Sequence, residues 1–295
     1  MQNQFANTWV SVVELINCSA ELTLPDPSPS PPLRRLLVSR AKLQVVAGAC
    51  RIVQVSSFRT RQDGVVLSDY VANRAPLFYR RLERVIEDLK AGLFLSAFRD
   101  TLAKLPSAES FQESHFGEIL AGLFAEEIGG LKRIYSKLSL LTAQNANAFK
   151  MDLLLCNSAT VPIEFVFGEV KSSAKSLSDG LPVGHDKSCY ASLFDSFNKY
   201  GEEDLEFDIT AARDNLEILD PAEAQRIKTA LLPYADRRVK YAGFVVIDQA
   251  THAENEANVL ATRRNKKEFD VELICIESLK NTIDDAYAKL KTTRS

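Results

Sequence analysis

Residues 149–171 read FKMDLLLCNSATVPIEFVFGEVK and contain the clearest structural pattern in the chain. Two apolar runs, 149–156 and 161–170, flank the polar sequence NSAT, which is typical of a turn. The first run is interrupted by the carboxylate of Asp152, and Glu169 lies at the end of the second. The pattern therefore predicts an antiparallel hairpin that carries charged side chains at one end.

Periodic apolar positions extend the prediction in both directions along the chain. Before the hairpin we expect strands within 8–24, a proline-rich loop at 24–32, a strand or helix within 40–57, one or two helices within 69–105, a helix from 107 to 128 and a strand at 135–141. Ser110 and Glu113 fit a capping box at the start of the helix 107–128, and Gly129-Gly130 fit its end. After the hairpin we expect helices at 186–199, 209–232, 253–263 and 277–291, with strands at 241–248 and 270–276. The sequence thus predicts an α/β fold with a mixed sheet.

Composition limits the classes of protein that the chain can belong to. Hydrophobic residues make up 46% and charged residues 25% of the chain, which excludes a disordered or fibrous protein. The net charge of −3 gives no overall basic field for binding nucleic acid. The five cysteines lack the spacing of zinc ligands. With no secretory signal and no apolar run near 18 residues, we expect a soluble cytoplasmic protein without a membrane partner.

Four charged residues are the candidates for catalysis. Glu169 and Lys171 are two positions apart on one strand, so their side chains leave the same face. Asp152 lies across the hairpin from Glu169, and Glu118 lies beside the apolar face of the preceding helix. Buried charges are costly unless they are paired or bind a cation, and carboxylate oxygens suit Mg²⁺ or Mn²⁺. Asp152, Glu169 and Glu118 are therefore predicted metal ligands, and Lys171 is predicted to orient water or stabilise charge during phosphodiester hydrolysis.

Each of these residues also has a purely structural interpretation. Asp152 fits a turn residue on a partly exposed strand, and Glu169 with Lys171 fits an exposed ion pair worth about 0–1 kcal/mol. Glu118 has acidic neighbours on or near its helix that compete for the same role. Basic pairs such as Arg34-Arg35, Arg80-Arg81 and Arg237-Arg238 fit either phosphate contacts or a solvated surface.

The order of these residues resembles that of the PD-(D/E)xK nuclease superfamily. Glu118 on a helix, Asp152 on a strand and then Gly168-Glu169-Val170-Lys171 follow its motif, although Lys150-Met151 replaces the proline that often precedes the aspartate. The resemblance implies a restriction-endonuclease-like mixed sheet core flanked by helices, matched over residues 107–249. Within the superfamily the chain resembles HamA, the nuclease subunit of the Hachiman anti-phage defence system. That resemblance implies a DNase that is held inactive by a helicase subunit until DNA is sensed.

These observations predict two regions and one leading function. Residues 1–106 would form an N-terminal α+β region for contact with a partner or DNA, and residues 107–295 the nuclease domain. The leading hypothesis is an Mg²⁺- or Mn²⁺-dependent deoxyribonuclease effector. The alternatives are a non-catalytic regulatory subunit with a nuclease-like fold, and an enzyme that acts on another phosphoester such as RNA.

Overall fold

The computed structural model describes residues 31–43, 50–91, 102–141, 150–174, 189–218, 220–251 and 267–292. In the N-terminal half the elements are α1 (Pro32–Leu36), β1 (Leu37–Leu43), β2 (Cys50–Phe58), the short strands β3 (Arg61–Gln62) and β4 (Val65–Val66), α2 (Leu67–Arg74), α3 (Pro76–Tyr79), α4 (Leu82–Lys90), α5 (Glu109–Glu127) and β5 (Lys132–Ser136). They continue with a 3-10 turn (Lys137–Leu140), β6 (Leu153–Asn157), β7 (Glu164–Ser173), α6 (Cys189–Lys199), α7 (Glu202–Asp214), α8 (Pro221–Ala230), β8 (Arg238–Asp248), β9 (Phe269–Ile276) and α9 (Leu279–Thr292). The strands predicted within 8–24, the proline-rich loop up to residue 30 and the helix predicted at 253–263 lie outside the described residues.

One mixed sheet organises the molecule, in the strand order β1-β2-β9-β8-β7-β6-β5. Strands β2, β9, β8 and β7 run parallel to one another, while β1 pairs antiparallel with β2 at one edge. At the other edge β5, β6 and β7 form an antiparallel meander, as the sequence predicts. The predicted fold class, a mixed α/β sheet flanked by helices and consistent with a restriction-endonuclease-like core, is confirmed.

Helices cover both faces of this sheet and bury two apolar layers. One layer joins α5, α2 and α9 to the sheet, and the other joins α6, α7 and α8 to the opposite face. Helix α5 lies very close to β7, because a Cβ added to Gly117 would come within 2.6 Å of Cβ of Ser172. The hydroxyl of Ser172 also donates to the carbonyl of Glu113 on that helix (2.9 Å). The absence of a side chain at Gly117 therefore allows α5 to approach β7, the strand that carries the predicted catalytic residues Glu169 and Lys171.

Two predicted elements differ from the structure for local reasons. The strand predicted at 135–141 runs from Lys132 to Ser136, because Ser136 Oγ accepts the N–H of Leu138 and starts a 3-10 turn. The single helix predicted at 209–232 is two helices. The second begins where Asp220 Oδ1 accepts the N–H of Glu223 (2.7 Å) and Pro221 fixes the first turn.

The predicted capping box at Ser110 and Glu113 was wrong, whereas the predicted end of that helix is confirmed. Helix α5 starts after Ala108, which makes no side-chain cap. At the other end Gly130 has a φ of +66°, and the N–H of Leu131 donates to the carbonyl of Ala125 (3.0 Å). Glycine adopts this left-handed conformation without strain, so it ends the helix.

The N-terminal strands belong to the same sheet as the hairpin. Strand β2 pairs in parallel with β9 from Cys50↔Phe269 to Phe58↔Ile276. The sheet thus runs across the predicted boundary at residue 106, and the division into a regulatory and a nuclease region stays a prediction about function. Among the described helices, none has the length and apolar character needed to cross a bilayer.

Candidate active site

Asp152 lies immediately before β6 and is fixed on both carboxylate oxygens. Its backbone N–H donates to the carbonyl of Gly168 (3.0 Å), the residue that pairs with Leu153 in the hairpin. Oδ2 accepts the N–H of Val170 (2.8 Å), and Oδ1 accepts Nζ of Lys137 (2.8 Å). The side chain is buried, so the interpretation of Asp152 as a turn residue on a partly exposed strand does not hold.

Glu169, which is buried, and Lys171, which is half-buried, form an ion pair on β7, as their spacing predicts. Nζ of Lys171 donates to Oε1 of Glu169 (2.5 Å), and Ser196 on α6 hydrogen-bonds the same carboxylate. Burial, followed by the charge of Asp152, raises the pKa of Glu169 to about 7. Burial lowers the pKa of Lys171, but the carboxylates of Glu169 and Asp152 outweigh it and hold that pKa above its ordinary value. The pair is not the exposed surface ion pair of the alternative interpretation.

Glu118 joins the site from helix α5, where it is 5% exposed. Its Oε2 atom is buried and has no hydrogen-bond partner among the described residues. Burial, and then the charges of Asp152 and Glu169, raise the pKa of Glu118 well above its ordinary value, while Lys137 and Lys171 act in the opposite direction. The structure therefore brings all four predicted residues into one electrostatically coupled group.

Lys137 belongs to this group and was missed by the sequence prediction. It begins the 3-10 turn after β5, and its backbone N–H lies 3.4 Å from the carbonyl of Asp152. Burial lowers the pKa of Lys137, but the charges of Asp152 and Glu118 raise it above the ordinary value, so the ammonium stays charged. The signal in the sequence was a lone lysine between Ile134 and Leu141, in a stretch without any other charged residue.

Two further positions hold the site in shape. Asp208 on α7 is fully buried, and its Oδ2 accepts the hydroxyl of Tyr200 (2.9 Å) and the N–H of Met151 (3.2 Å), directly before Asp152. On α5, one turn before Glu118, Nδ1 of His115 is 2.8 Å from the hydroxyl of Tyr79. Burial, followed by the charge of Lys137, lowers the pKa of His115 to about 4, so this imidazole is neutral at pH 7.

Comparison with known families adds an independent observation. The sequence model of the HamA family matches residues 52–290, which is most of the chain. The chain belongs to the HamA family. This membership confirms the resemblance to HamA and associates the chain with Hachiman anti-phage defence and a partnership within that system. No curated protein matches the chain.

The donor set of this HamA chain fits a hard divalent cation. Glu118, Asp152 and Glu169 offer carboxylate oxygens, the ligand type that Mg²⁺ and Mn²⁺ prefer. The buried Oε2 of Glu118 is an oxygen that the described residues leave without a donor. Among the described residues, however, no three Asp, Glu, His or Cys side chains are already placed so that they could bind one metal ion together. Metal binding would thus require the carboxylates to turn towards one another.

The predicted basic clusters are engaged within the HamA chain where the structure describes them. Nε of Arg34 donates to the carbonyl of Glu127 (2.9 Å), and NH1 of Arg80 donates to Asp88 (2.7 Å). Arg81 donates to Asn215, and NH1 of Arg237 donates to the carbonyl of Leu232 (2.9 Å). These contacts favour the structural interpretation for Arg34, Arg80, Arg81 and Arg237. The sequence offers Lys175, His185 and the basic run at 263–267 as further candidates for contact with substrate, and all of them except Lys267 lie outside the described residues.

Proposed function

We propose that the chain is a metal-dependent deoxyribonuclease effector of Hachiman defence, of the PD-(D/E)xK type, held inactive by a helicase partner until DNA is sensed. The observation that carries this proposal is the group formed by the buried carboxylates of Glu118, Asp152 and Glu169 with the half-buried ammonium of Lys171. A fold does not keep three carboxylates close together and out of water for stability, because each raises the electrostatic cost of the others. Perturbed carboxylates of this kind are typical of catalytic and metal sites.

Each residue has a role that follows from its position. Asp152, directly before β6, and Glu169, within β7, would hold the cation, with Glu118 supplying a third oxygen ligand from α5. When bound, Mg²⁺ or Mn²⁺ supplies the Lewis acidity that polarises the phosphoryl oxygen and makes hydroxide available near neutral pH. The ammonium of Lys171, held by Glu169 at 2.5 Å, would orient the attacking water and stabilise negative charge on the phosphate.

The family membership supports DNA as substrate and a helicase as partner, because both belong to the Hachiman system that the resemblance implies. The non-catalytic alternative would require the site to have lost its chemistry. Each of the residues that the motif requires, Asp152, Glu169 and Lys171, is present and buried or half-buried. Retention of the full set supports the enzyme over the regulatory subunit.

The test compares two glutamates on the same strand. Glu169→Gln removes a predicted metal ligand, whereas Glu164→Gln removes a glutamate of β7 that pairs with Lys240 (2.8 Å) away from the site. With Mg²⁺ or Mn²⁺, we expect wild type and Glu164→Gln to degrade plasmid DNA at similar rates. We expect Glu169→Gln and Lys171→Met to be slower by about a hundredfold or more, and EDTA to stop all cleavage.

Matched RNA and DNA substrates separate the deoxyribonuclease from the RNA alternative in the same assay. If wild type alone is inactive, the helicase subunit of the system and linear DNA are added as the trigger. DNA that stays intact in both settings, at high protein concentration with either metal, would contradict the nuclease and favour the regulatory subunit.

A further inference from the structure

Lys137 reaches Asp152 from the 3-10 turn after β5, the strand that flanks β6 on the side away from β7, which carries Lys171. Its Nζ lies 2.8 Å from Oδ1 of Asp152, and its side chain is 12% exposed. The two residues are also joined through the backbone, from the N–H of Lys137 to the carbonyl of Asp152 (3.4 Å). This double attachment ties the 3-10 turn after β5 to the start of β6.

The two oxygens of Asp152 are not equivalent. Oδ2 faces the backbone N–H of Val170 (2.8 Å), a donor that is fixed because it belongs to β7. Oδ1 is therefore the oxygen that remains for a cation, and it is the one that Lys137 contacts. Lys171 does not compete for it, because its ammonium is hydrogen-bonded to Glu169.

We propose that Lys137 is an internal counter-cation that competes with the divalent metal for Oδ1 of Asp152 and so sets the metal affinity of the site. This inference rests on the proposed function, since it concerns the same site. With all three carboxylates ionised, as binding of a dication requires, three negative and two positive charges give the group a net charge of −1. Removing the charge of Lys137 makes the group more negative, which strengthens its attraction for a dication in a poorly screened environment.

The test measures metal binding in the absence of DNA, so that it does not depend on cleavage. Mn²⁺ and Mg²⁺ are titrated into metal-free protein by isothermal calorimetry. Lys137→Gln keeps a hydrogen-bond donor for Asp152 but loses the charge, and we expect it to bind metal at least about tenfold more tightly than wild type. Lys137→Arg keeps the charge and is expected to stay within about twofold of wild type. The control is Lys132→Gln, which removes a half-exposed lysine of β5 that pairs with Glu223, and its affinity should not change.

Thermal unfolding supplies a second readout. Without metal, Lys137→Gln leaves a buried carboxylate without its cation and should unfold at a lower temperature than wild type. Added metal should raise its Tm by more than it raises that of wild type. A Lys137→Gln protein that folds only with metal supports the inference too, because the metal then replaces the ammonium.

Several results would overturn the inference. They are unchanged or weaker metal binding by Lys137→Gln, equal tightening by Lys137→Arg, and a Lys137→Gln protein that stays unfolded at saturating metal. Failure of the proposed function gives a different result. In that case wild type binds metal but does not cleave DNA, either alone or with its helicase partner. If neither wild type nor Lys137→Gln binds metal, the inference and the metal-dependent function are both wrong.

Discussion

Glu118 shows how much a single residue can cost the fold. It is buried on α5 beside the negative charges of Asp152 and Glu169, and its Oε2 lacks a hydrogen-bond donor in the part of the chain that the structure describes. Glu118→Gln keeps the shape and removes the charge. We expect the metal-free variant to be more stable than wild type by about 1–3 kcal/mol at pH 7, and its DNA cleavage to fall by about tenfold or more. Urea denaturation in EDTA and the plasmid assay measure the two effects.

The matched control for this prediction is on the same helix. Glu109→Gln removes an exposed glutamate at the start of α5, which lies 3.5 Å from Lys280. Neither stability nor cleavage should change noticeably, because exposed ion pairs contribute little. A Glu118→Gln protein that is less stable than wild type would show that the carboxylate is satisfied in solution by groups other than those described.

At the scale of secondary-structure elements, the contact of α5 with β7 brings Glu118 to the hairpin. A Cβ on Gly117 would lie 2.6 Å from Cβ of Ser172, a backbone-proximal atom that cannot turn away. Gly117→Ala should therefore force the helix outward, destabilise the fold by about 1–3 kcal/mol and reduce DNA cleavage by about tenfold or more. Denaturation midpoints and plasmid cleavage rates measure both losses.

Gly122→Ala separates displacement of Glu118 from general overpacking. Its added Cβ would meet the ring of Phe78 on α3 at 2.5 Å, so the clash is similar but is directed at a side chain of another helix. We expect Gly122→Ala to lose about as much stability as Gly117→Ala, but to cleave DNA at a rate closer to that of wild type. If the two variants lose the same activity at the same stability, the close approach at Gly117 has no special role in the site.

The elements also show what the sequence can and cannot predict. The two apolar runs predicted the β6–β7 hairpin, and the i, i+2 spacing predicted that Glu169 and Lys171 lie together. Both features could be predicted because each depends only on residues that are close in the sequence. Lys137 could not be found this way, since its contact with Asp152 depends on where β5 ends, and the predicted strand continued to residue 141. The pairing of β2 with β9 joins residues more than 200 positions apart, which no local pattern encodes.

For the molecule as a whole, stability should depend on pH through Glu217. This residue lies between α7 and α8, and its N–H donates to the carbonyl of Ile134 on the edge strand β5 (2.8 Å). Burial raises the pKa of Glu217 from 4.5 to about 7, and the charge of Arg133 offsets only part of this effect. Because the segment between α7 and α8 is hydrogen-bonded to the edge strand β5, the carboxyl group of Glu217 is buried in the folded chain.

The sign of the effect follows from the two states. Below about pH 4.5 Glu217 is protonated in the folded and the unfolded chain, so it does not affect stability. Between pH 4.5 and about 7 the unfolded chain releases the proton while the folded chain retains it, and the free energy of unfolding falls by about 3 kcal/mol over this range. Glu217→Gln removes this loss. It should therefore be more stable than wild type at pH 8 by up to about 3 kcal/mol and nearly equal to it at pH 4.5.

Comparing the variant with wild type at each pH isolates Glu217, because Glu118 and Glu169 titrate in both proteins and cancel in the difference. Urea denaturation in EDTA at pH 4.5, 6 and 8 measures that difference. Glu206→Gln, at an exposed glutamate paired with Arg237, controls for the loss of one negative charge from the surface and should show no pH-dependent difference. A difference between Glu217→Gln and wild type that is the same at all three pH values would mean that the packing of the side chain, rather than its charge, determines its effect on stability.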